Sequence, residues 1–561
     1  MFCVLQLYKL YLMKEKADAS DDNKIIWQPR VRVKRPFHEK DLPPCVQYLI
    51  IGTGAAGWAA YRSIMQHDKT AKVFFITSED ISPYRRPPMS KYMWWNDEPP
   101  DVFTLNYVNH ENKRQTMLNA VCKDFKDPVK FNRMKKGPAV SMASGWCVIR
   151  IDPDDHVVWV ATKGGEQPIY YERCLLAPGS KAKVLAMYQS APKSVRQKVC
   201  HLRTIRDLEI AHRKVEKAKH VTIVGGGLLG TELAYHIARR KDETPLQVAH
   251  IFKDKGLLSG FLPEYLGVWV AERVRCQGIT QIPECQVYDM YDSKDGRLEL
   301  LLSNGKTLVT DYVFMAVGAL PREELAEPSF LELDTENGGY AVNTELKART
   351  HLYVAGDAAS VHCQWKNQRM RMEHLNNAIE QGHIAGANMT GYWWPCNMEP
   401  HFKILLADDL DVEYRFDFIK LQVIGEVGAC MPTVGLFKEC DIATCFFKEE
   451  ERTKGNKDRV CYKQGADYEA RYKHGLLFYL RDEVVVGFIF WNLKPEIADR
   501  LEVATELLRA RPTYKDIDVL AELLGFNSSE CIYKIERSKI TCGPLARLPL
   551  QAIKKKNVVI L

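Results

Sequence analysis

Two absences narrow the reading of this 561-residue chain before any motif is considered. No uninterrupted apolar run approaches the ~20 residues that a membrane-crossing helix needs. Its sixteen cysteines include no Cys-x-x-Cys pair and no Cys/His cluster at zinc spacing, so a zinc module is excluded. The expectation is a set of free, mostly buried thiols, with Cys440 and Cys445 close enough in sequence to pair. The net charge of +7 also contains less than it promises. Between Lys534 and Leu561 seven basic residues face one Glu, so this tail carries +6 and the body is left near +1. That is no footprint for duplex nucleic acid.

What the chain does have is 46% hydrophobic and 27% charged residues, and length enough for several domains. Met1 to Met13 is apolar and aromatic, without a small-residue cleavage site or Arg enrichment, and conforms to neither a signal nor a transit peptide. Val46 to Ile51 reads as a buried strand running into Gly52-Thr53-Gly54-Ala55-Ala56-Gly57 and an Ala-rich helix. Lys72 to Thr77 reads as the next strand, ending at Glu79 and Asp80. The pattern recurs downstream: Val221 to Val224, then Gly225-Gly226-Gly227-Leu228-Leu229-Gly230, a helix, and Leu246 to Phe252 ending near Asp254.

Each unit is a strand, a glycine-rich turn, a helix and a second strand tipped by an acid. The first glycine permits the tight turn, the second lets a pyrophosphate approach, and the third brings helix and strand together. The free N–H groups of the helix N-terminus attract phosphate, and the acid accepts the ribose hydroxyls. One such fingerprint is weak evidence, but two complete units predict two Rossmann-like dinucleotide-binding domains. A late strand, Leu352 to Val354, runs into Gly356-Asp357, where an Asp can bond the polyol of a flavin chain. The segments ending at Gly179 and Gly318 read as crossings that close each domain. Together these features predict a flavin reduced by a nicotinamide. Residues 58–121 hold no Cys, so the redox-active Cys pair of disulfide reductases is not there.

Pro83-Tyr84-Arg85-Arg86-Pro87-Pro88-Met89-Ser90-Lys91 with Trp94, Leu262 to Leu266, Glu373-His374 to Ala378, Met431 to Phe437, and Phe478 to Asp482 through Trp491-Asn492 carry a resemblance to the apoptosis-inducing factor family of FAD proteins. It runs from about residue 45 to 525; the first two domains alone also resemble oxygenase-coupled ferredoxin reductases. The resemblance implies an α/β fold with FAD and NAD domains of the glutathione-reductase type and an α+β C-terminal domain. The expected division is a lead at 1–44, an FAD domain at 45–180 and 320–403, an NAD domain at 181–319, a C-terminal domain at 404–533 and a basic tail at 534–561.

The resemblance also implies roles. Gly52, Thr53, Gly54, Ala55 and Ala56 would hold the FAD pyrophosphate, with Glu79 and Asp80 near the adenosine ribose. Arg86 and Lys91 would sit at the flavin, Val148 at adenine, and Arg203 and Asp357 on the linker. Glu373 and His374 would lie against the ring, and Glu232 would pair with Lys91, making Lys91, Glu232 and His374 the catalytic set. Gly226, Gly227, Leu228, Leu229, Asp254 and Gly318 would serve NAD, with Asn492 reaching it from the C-terminal domain. Asp254 favours NADH over NADPH, although Lys253 and Lys255 flank it.

Three positions depart from the family: Leu228 stands for an aromatic, Leu375 for a second His, and the segment near Ala407 lacks a Trp. Those aromatics serve the nicotinamide. By resemblance the expected function is an NADH oxidoreductase of the mitochondrial intermembrane space, tied to respiratory maintenance and caspase-independent death. An NADH-dependent homodimer, an oxidative-import factor as partner, nuclear translocation and sequence-independent DNA binding (aided by Arg173 and Lys183) are implied with it. The alternatives are a reductase feeding a ferredoxin or quinone and a flavin-stabilised binding module.

Overall fold

The computed structural model describes residues 38–94, 100–109, 113–120, 124–134, 137–240, 246–363, 367–406, 419–438, 472, 474–493, 500–527, 533–537 and 551–554. The lead before residue 38, Ala407, Cys440 and Cys445 lie outside them.

The first unit begins with β1 (Cys45–Ile51), α1 (Ala55–His67) and β2 (Lys72–Thr77). It continues through β3 (Ala139–Ser144), the antiparallel β4 (Val148–Asp152) and β5 (Val157–Thr162), and β6 (Gly165–Leu176). β1 lies between β2 and β6, parallel to both, and is covered on both faces. That burial is why it reads as an unbroken apolar run rather than an alternation.

The second unit has a five-stranded parallel sheet: β7 (Val199–Cys200), β8 (His220–Val224), β9 (Gln247–Ile251), β10 (Thr280–Ile282) and β11 (Tyr312–Met315), in the order β7-β11-β8-β9-β10. Its glycine turn opens α2 (Leu228–Ile237). Two crossing segments, Ser180–Ala182 and Ala319–Pro321, pair antiparallel where the chain leaves and re-enters the first unit. Beyond them β12 (Lys347–Arg349) and β13 (Leu352–Val354) extend the first sheet to β12-β13-β6-β1-β2-β3. α3 (Leu375–Met389) then packs on α1; a Cβ at Gly382 or Gly386 would run into the α1 backbone, so the two helices touch main chain to main chain.

The C-terminal sheet has seven strands: β14 (His401–Leu406), β15 (Ile419–Gly425), β16 (Thr433–Lys438), β17 (His474–Arg481), β18 (Val484–Trp491), β19 (Tyr533–Arg537) and β20 (Gln551–Lys554). α4 (Leu501–Arg509) and α5 (Ile517–Leu523) bury Ala504, Leu508, Leu520 and Ala521 against one face. The other face shares a core with the second unit, where Trp491 meets Trp269 edge to face at 5.4 Å. The β17–β18 turn at Asp482 and Glu483 has both residues at positive φ, the geometry of a tight two-residue hairpin.

Two expectations need correcting. Residues 534–537 and 551–554 are expected in a basic tail beyond the C-terminal domain, yet 533–537 pairs with β16 and 551–554 pairs with 533–537. Strand pairing is satisfied by backbone groups, so a short segment can join an edge without a strong side-chain pattern. The cysteines are also not all free thiols, because Cys430 is disulfide-bonded. Cys174, Cys200 and Cys396 are buried free thiols, and burial pushes each of them up.

Candidate functional site at the meeting of two glycine turns

Both glycine turns use one backbone device. Gly52 and Gly225 lie at φ +106° and +118°, and a Cβ at either would strike the carbonyl of Ala177 or Ala316 on the neighbouring strand. Only glycine takes that conformation without strain in so little space. Gly52 N–H donates to Ile76 O at 2.9 Å and Gly225 N–H to Ile251 O at 2.8 Å, tying each turn to the second strand of its unit. Gly54 and Gly227 are the N-caps of α1 and α2, so Ala55 and Ala56, like Leu228 and Leu229, open a helix with free N–H groups. Thr53 is buried inside the first turn.

The first turn faces a dense polar cluster. At the end of β2, Glu79 accepts from Tyr84 Oη at 2.7 Å and from Arg86 Nη2 at 3.1 Å. Asp80 follows it, and Gly145 N–H and Trp146 N–H bond back to Glu79 and Thr77, bringing buried Val148 close by. Arg86 reaches across Gly54 and donates from Nε to Arg203 O at 3.3 Å. Arg203 Nη2 meets Ser180 O at 3.1 Å, the Ser180 hydroxyl meets Asp357 Oδ2 at 2.6 Å, and Arg203 stands 3.8 Å from that carboxylate. Burial and the neighbouring Arg86 charge both hold Arg203 below the usual guanidinium range. Its Nε is buried without a partner.

Two crowded cations and an unsatisfied donor beside a helix N-terminus fit the pyrophosphate of a dinucleotide. Arg86 stands over the glycine turn, where a Cβ on Gly54 would meet its Nη1 at 3.0 Å. Tyr84 stands in the motif that carries the resemblance and Ser180 in none; only the fold reveals the partners of either.

The second turn has a different neighbourhood. Leu258 N–H donates to Gly226 O at 2.7 Å, and Phe252 closes on Gly226 so tightly that a Cβ there would touch it at 2.9 Å. Asp254 accepts from the Ser259 hydroxyl, and its own carbonyl accepts Glu284 N–H at 3.1 Å. Lys253 and Lys255 are exposed, the latter 3.1 Å from Glu264. Gly318 lies at φ +112° in open space and its carbonyl accepts Lys183 N–H at 3.0 Å. Fully buried His250 bonds Gly225 O through Nε2 at 2.9 Å, and burial pushes its pKa down to about 4.

Where the units meet, Lys91, just past the Pro87–Ser90 turn, forms an ion pair with Glu232 on α2, both side chains almost enclosed. His374 caps α3 at φ +84° and stacks on Phe402 of β14 with ring centroids 4.2 Å apart. Burial pulls the His374 pKa down, against the carboxylates of Glu373, Asp357 and Glu232. Arg371 Nη1 holds Glu373 at 2.5 Å. Lys91, Glu232 and the adjacent Glu373 and His374 thus come from three separate segments.

Asn492 follows β18 at φ +50°, is buried, and uses its amide oxygen to accept Lys420 N–H at 2.7 Å, clipping β18 to β15. Phe402 was missed, and no sequence signal separates it from any other aromatic on a strand.

A pair of Rossmann-like units joined by the Lys91–Glu232 ion pair defines a flavoprotein reductase that uses a pyridine nucleotide. Residues 46–382 match the pyridine nucleotide-disulphide oxidoreductase family, and residues 385–510 match the C-terminal domain of mitochondrion-associated apoptosis-inducing factor. The chain is 31% identical to a putative mitochondrial apoptosis-inducing factor 1 of Drosophila melanogaster over 516 residues, covering 88% of this chain and 67% of that one. It is 30% identical to mitochondrial apoptosis-inducing factor 1 of Dictyostelium discoideum, covering 86% and 81%. The crystal structure of a covalent putidaredoxin reductase–putidaredoxin complex superposes with a TM-score of 0.62 at 18% identity, over 86% of this chain and 98% of that one. The chain belongs to the pyridine nucleotide-disulphide oxidoreductases and, within them, to the apoptosis-inducing factor group. It is an FAD-dependent NAD(P)H oxidoreductase. Among the described residues no helix is long and apolar enough to cross a membrane.

Proposed function

We propose that NADH binds the second unit and passes hydride to FAD held in the first, with the acceptor of the electrons a separate molecule. The observation that carries this reading is the Lys91–Glu232 pair, which joins an arm of the first unit to the helix opened by the second glycine turn. FAD supplies the electron sink. Around it, Gly52 to Ala56, Arg86 and Arg203 bind the pyrophosphate, Glu79 the ribose, and Asp357 the linker. Lys91 places a cation near the ring, Glu232 moderates that charge, and neutral His374 with Phe402 walls the site from water. Gly226, Gly227, Leu228, Leu229, Asp254 and Gly318 receive NADH. The relatives' names extend the reading to mitochondria and apoptosis. Respiratory maintenance, an NADH-dependent dimer, an import-factor partner and DNA contacts rest on the family resemblance alone.

Anaerobic titration of the purified holoprotein with NADH tests the core of it. Bleaching of the flavin absorbance at stoichiometric NADH is the expected result. A protein that binds no FAD, or whose FAD stays oxidised with excess NADH, overturns the reading.

A further inference from the structure

The Lys91–Glu232 pair leaves a physical question open. A carboxylate held by one ammonium through one oxygen can still pivot, and the position of the ammonium then drifts with it. In this chain the second oxygen is occupied as well: the Ser90 hydroxyl donates to Glu232 Oε2 at 2.5 Å, while Lys91 takes Oε1. Ser90 Oγ also lies 3.3 Å from Pro87 O, but one hydroxyl hydrogen serves one short bond, and the charged acceptor at 2.5 Å is the stronger partner.

The two prongs come from consecutive residues, which ordinarily point apart. They converge because Pro87 and Pro88 stiffen a short 3-10 turn and Lys91 leaves it at φ −124°, ψ −103°, outside the regular backbone regions. Ser90 is itself buried, so the bond is sheltered from competing water.

The far side of Glu232 is fixed too. His236, one turn along α2 and 2% exposed, bonds Glu232 O through Nδ1 at 2.8 Å. A carbonyl can only accept, so Nδ1 carries the hydrogen and the neutral ring keeps Nε2 bare. Burial, then the charge of Lys91, pushes the His236 pKa down to about 3, so this arrangement holds throughout the physiological range.

We propose that Ser90 is the positioning residue of the Lys91–Glu232 pair: it clamps the second carboxylate oxygen so that the Lys91 ammonium is presented in one place. This rests on the hydride-transfer reading above, but the clamp is measurable without turnover. The experiment compares the wild-type holoprotein with Ser90→Ala, Ser90→Thr, Glu232→Gln and the Ser90→Ala/Glu232→Gln double variant. The first readout is the isotope-edited infrared carboxylate stretch of Glu232, recorded without NADH and assigned by its disappearance in Glu232→Gln. The second is stopped-flow flavin reduction across a range of NADH concentrations. Flavin content and thermal midpoint check that each variant is folded.

The carboxylate band shifts in Ser90→Ala and returns in Ser90→Thr. The limiting reduction rate falls about tenfold in Ser90→Ala, while half-saturating NADH changes by less than about twofold. Threonine restores the rate, and the double variant is no slower than Glu232→Gln alone, because both changes remove one interaction. An unmoved band, a loss confined to half-saturation, a loss that threonine does not repair, or additive losses in the double variant overturns the proposal. If wild-type flavin is not reduced by NADH, the functional reading fails instead, and the infrared band still decides the clamp.

Discussion

Gly52 and Gly225 share a backbone conformation, a carbonyl at their backs and a bond to the next strand, so the two turns start as equals. Their surroundings then diverge. The first turn is crossed by Arg86 and faced by Arg203, Asp357 and Ser180, all interlocked, with Tyr84 and Arg86 closing on Glu79. Phe252 and Leu258 press on the second, and the acid of its unit, Asp254, bonds a single serine hydroxyl. A half-buried cage of charge-assisted bonds suits a cofactor that stays; a lightly furnished apolar turn suits one that comes and goes.

The largest test of that difference is the same substitution made twice. Gly52→Ala puts a side chain at positive φ and against the Ala177 carbonyl, and the expected outcome is protein that purifies without flavin. Gly225→Ala carries the same strain, of order 1–3 kcal/mol plus the clash, yet should keep its yellow colour and lose reduction by NADH. Visible absorbance before and after NADH distinguishes them. Equal flavin loss in both would mean that the two units are not functionally divided.

Acid should also separate the units. His250 stands under the second turn with its pKa near 4, against an ordinary value of 6.5. Between those values the unfolded chain holds the extra proton, so stability falls as pH drops from 6.5 towards 4. The full window is worth about 3 kcal/mol. His250→Gln retains an N–H for Gly225 O but cannot titrate. Its thermal midpoint should therefore fall less than that of the wild type between pH 7 and pH 4.5. Buried His236, present in both proteins, cancels in the comparison. Parallel curves would remove His250 from the acid response.

How much of this was legible follows from which groups constrain residue type. The glycine turns could be read because only glycine fits positive φ beside a carbonyl, and the strand-end acids Glu79 and Asp254 follow from their spacing. Lys91 and Glu232, far apart in sequence, were reached through resemblance rather than spacing. The partners that organise the site could not be read at all. Ser90 and Tyr84 lie inside the motif that carries the resemblance, yet their hydrogen-bond partners, like those of Ser180, are set by the fold and not by neighbouring residues. For Asn492 the sequence could not show that its amide oxygen accepts Lys420 N–H, because that contact joins residues 72 apart.

Asp254 offers a smaller and more selective test. Asp254→Asn keeps an oxygen for Ser259 but removes the charge that repels a 2′-phosphate, with Lys253 and Lys255 at hand to receive one. Half-saturating NADPH should improve about tenfold, equal to ~1.4 kcal/mol, with NADH changed much less. Coenzyme titrations of flavin reduction measure it. If NADPH is unaffected, Asp254 does not select the coenzyme.

The smallest expected effect concerns the seam between the units. The family's aromatics are missing at Leu228 and Leu375, but Phe402 lies flat on His374 at 4.2 Å and is met edge-on by Phe261 at 5.3 Å. Phe261 in turn is anchored through its carbonyl by Tyr479 at 2.5 Å, so the stack is braced by the C-terminal sheet. Such a pair is worth about 1 kcal/mol beyond its buried area. Phe402→Leu preserves apolar volume and removes the ring, and half-saturating NADH should rise about fivefold while flavin content stays full. An unchanged titration would show that Phe402 packs the seam without shaping the nicotinamide site. A loss of flavin would place the stack on the cofactor that stays, and the division between the two turns would have to be redrawn at His374.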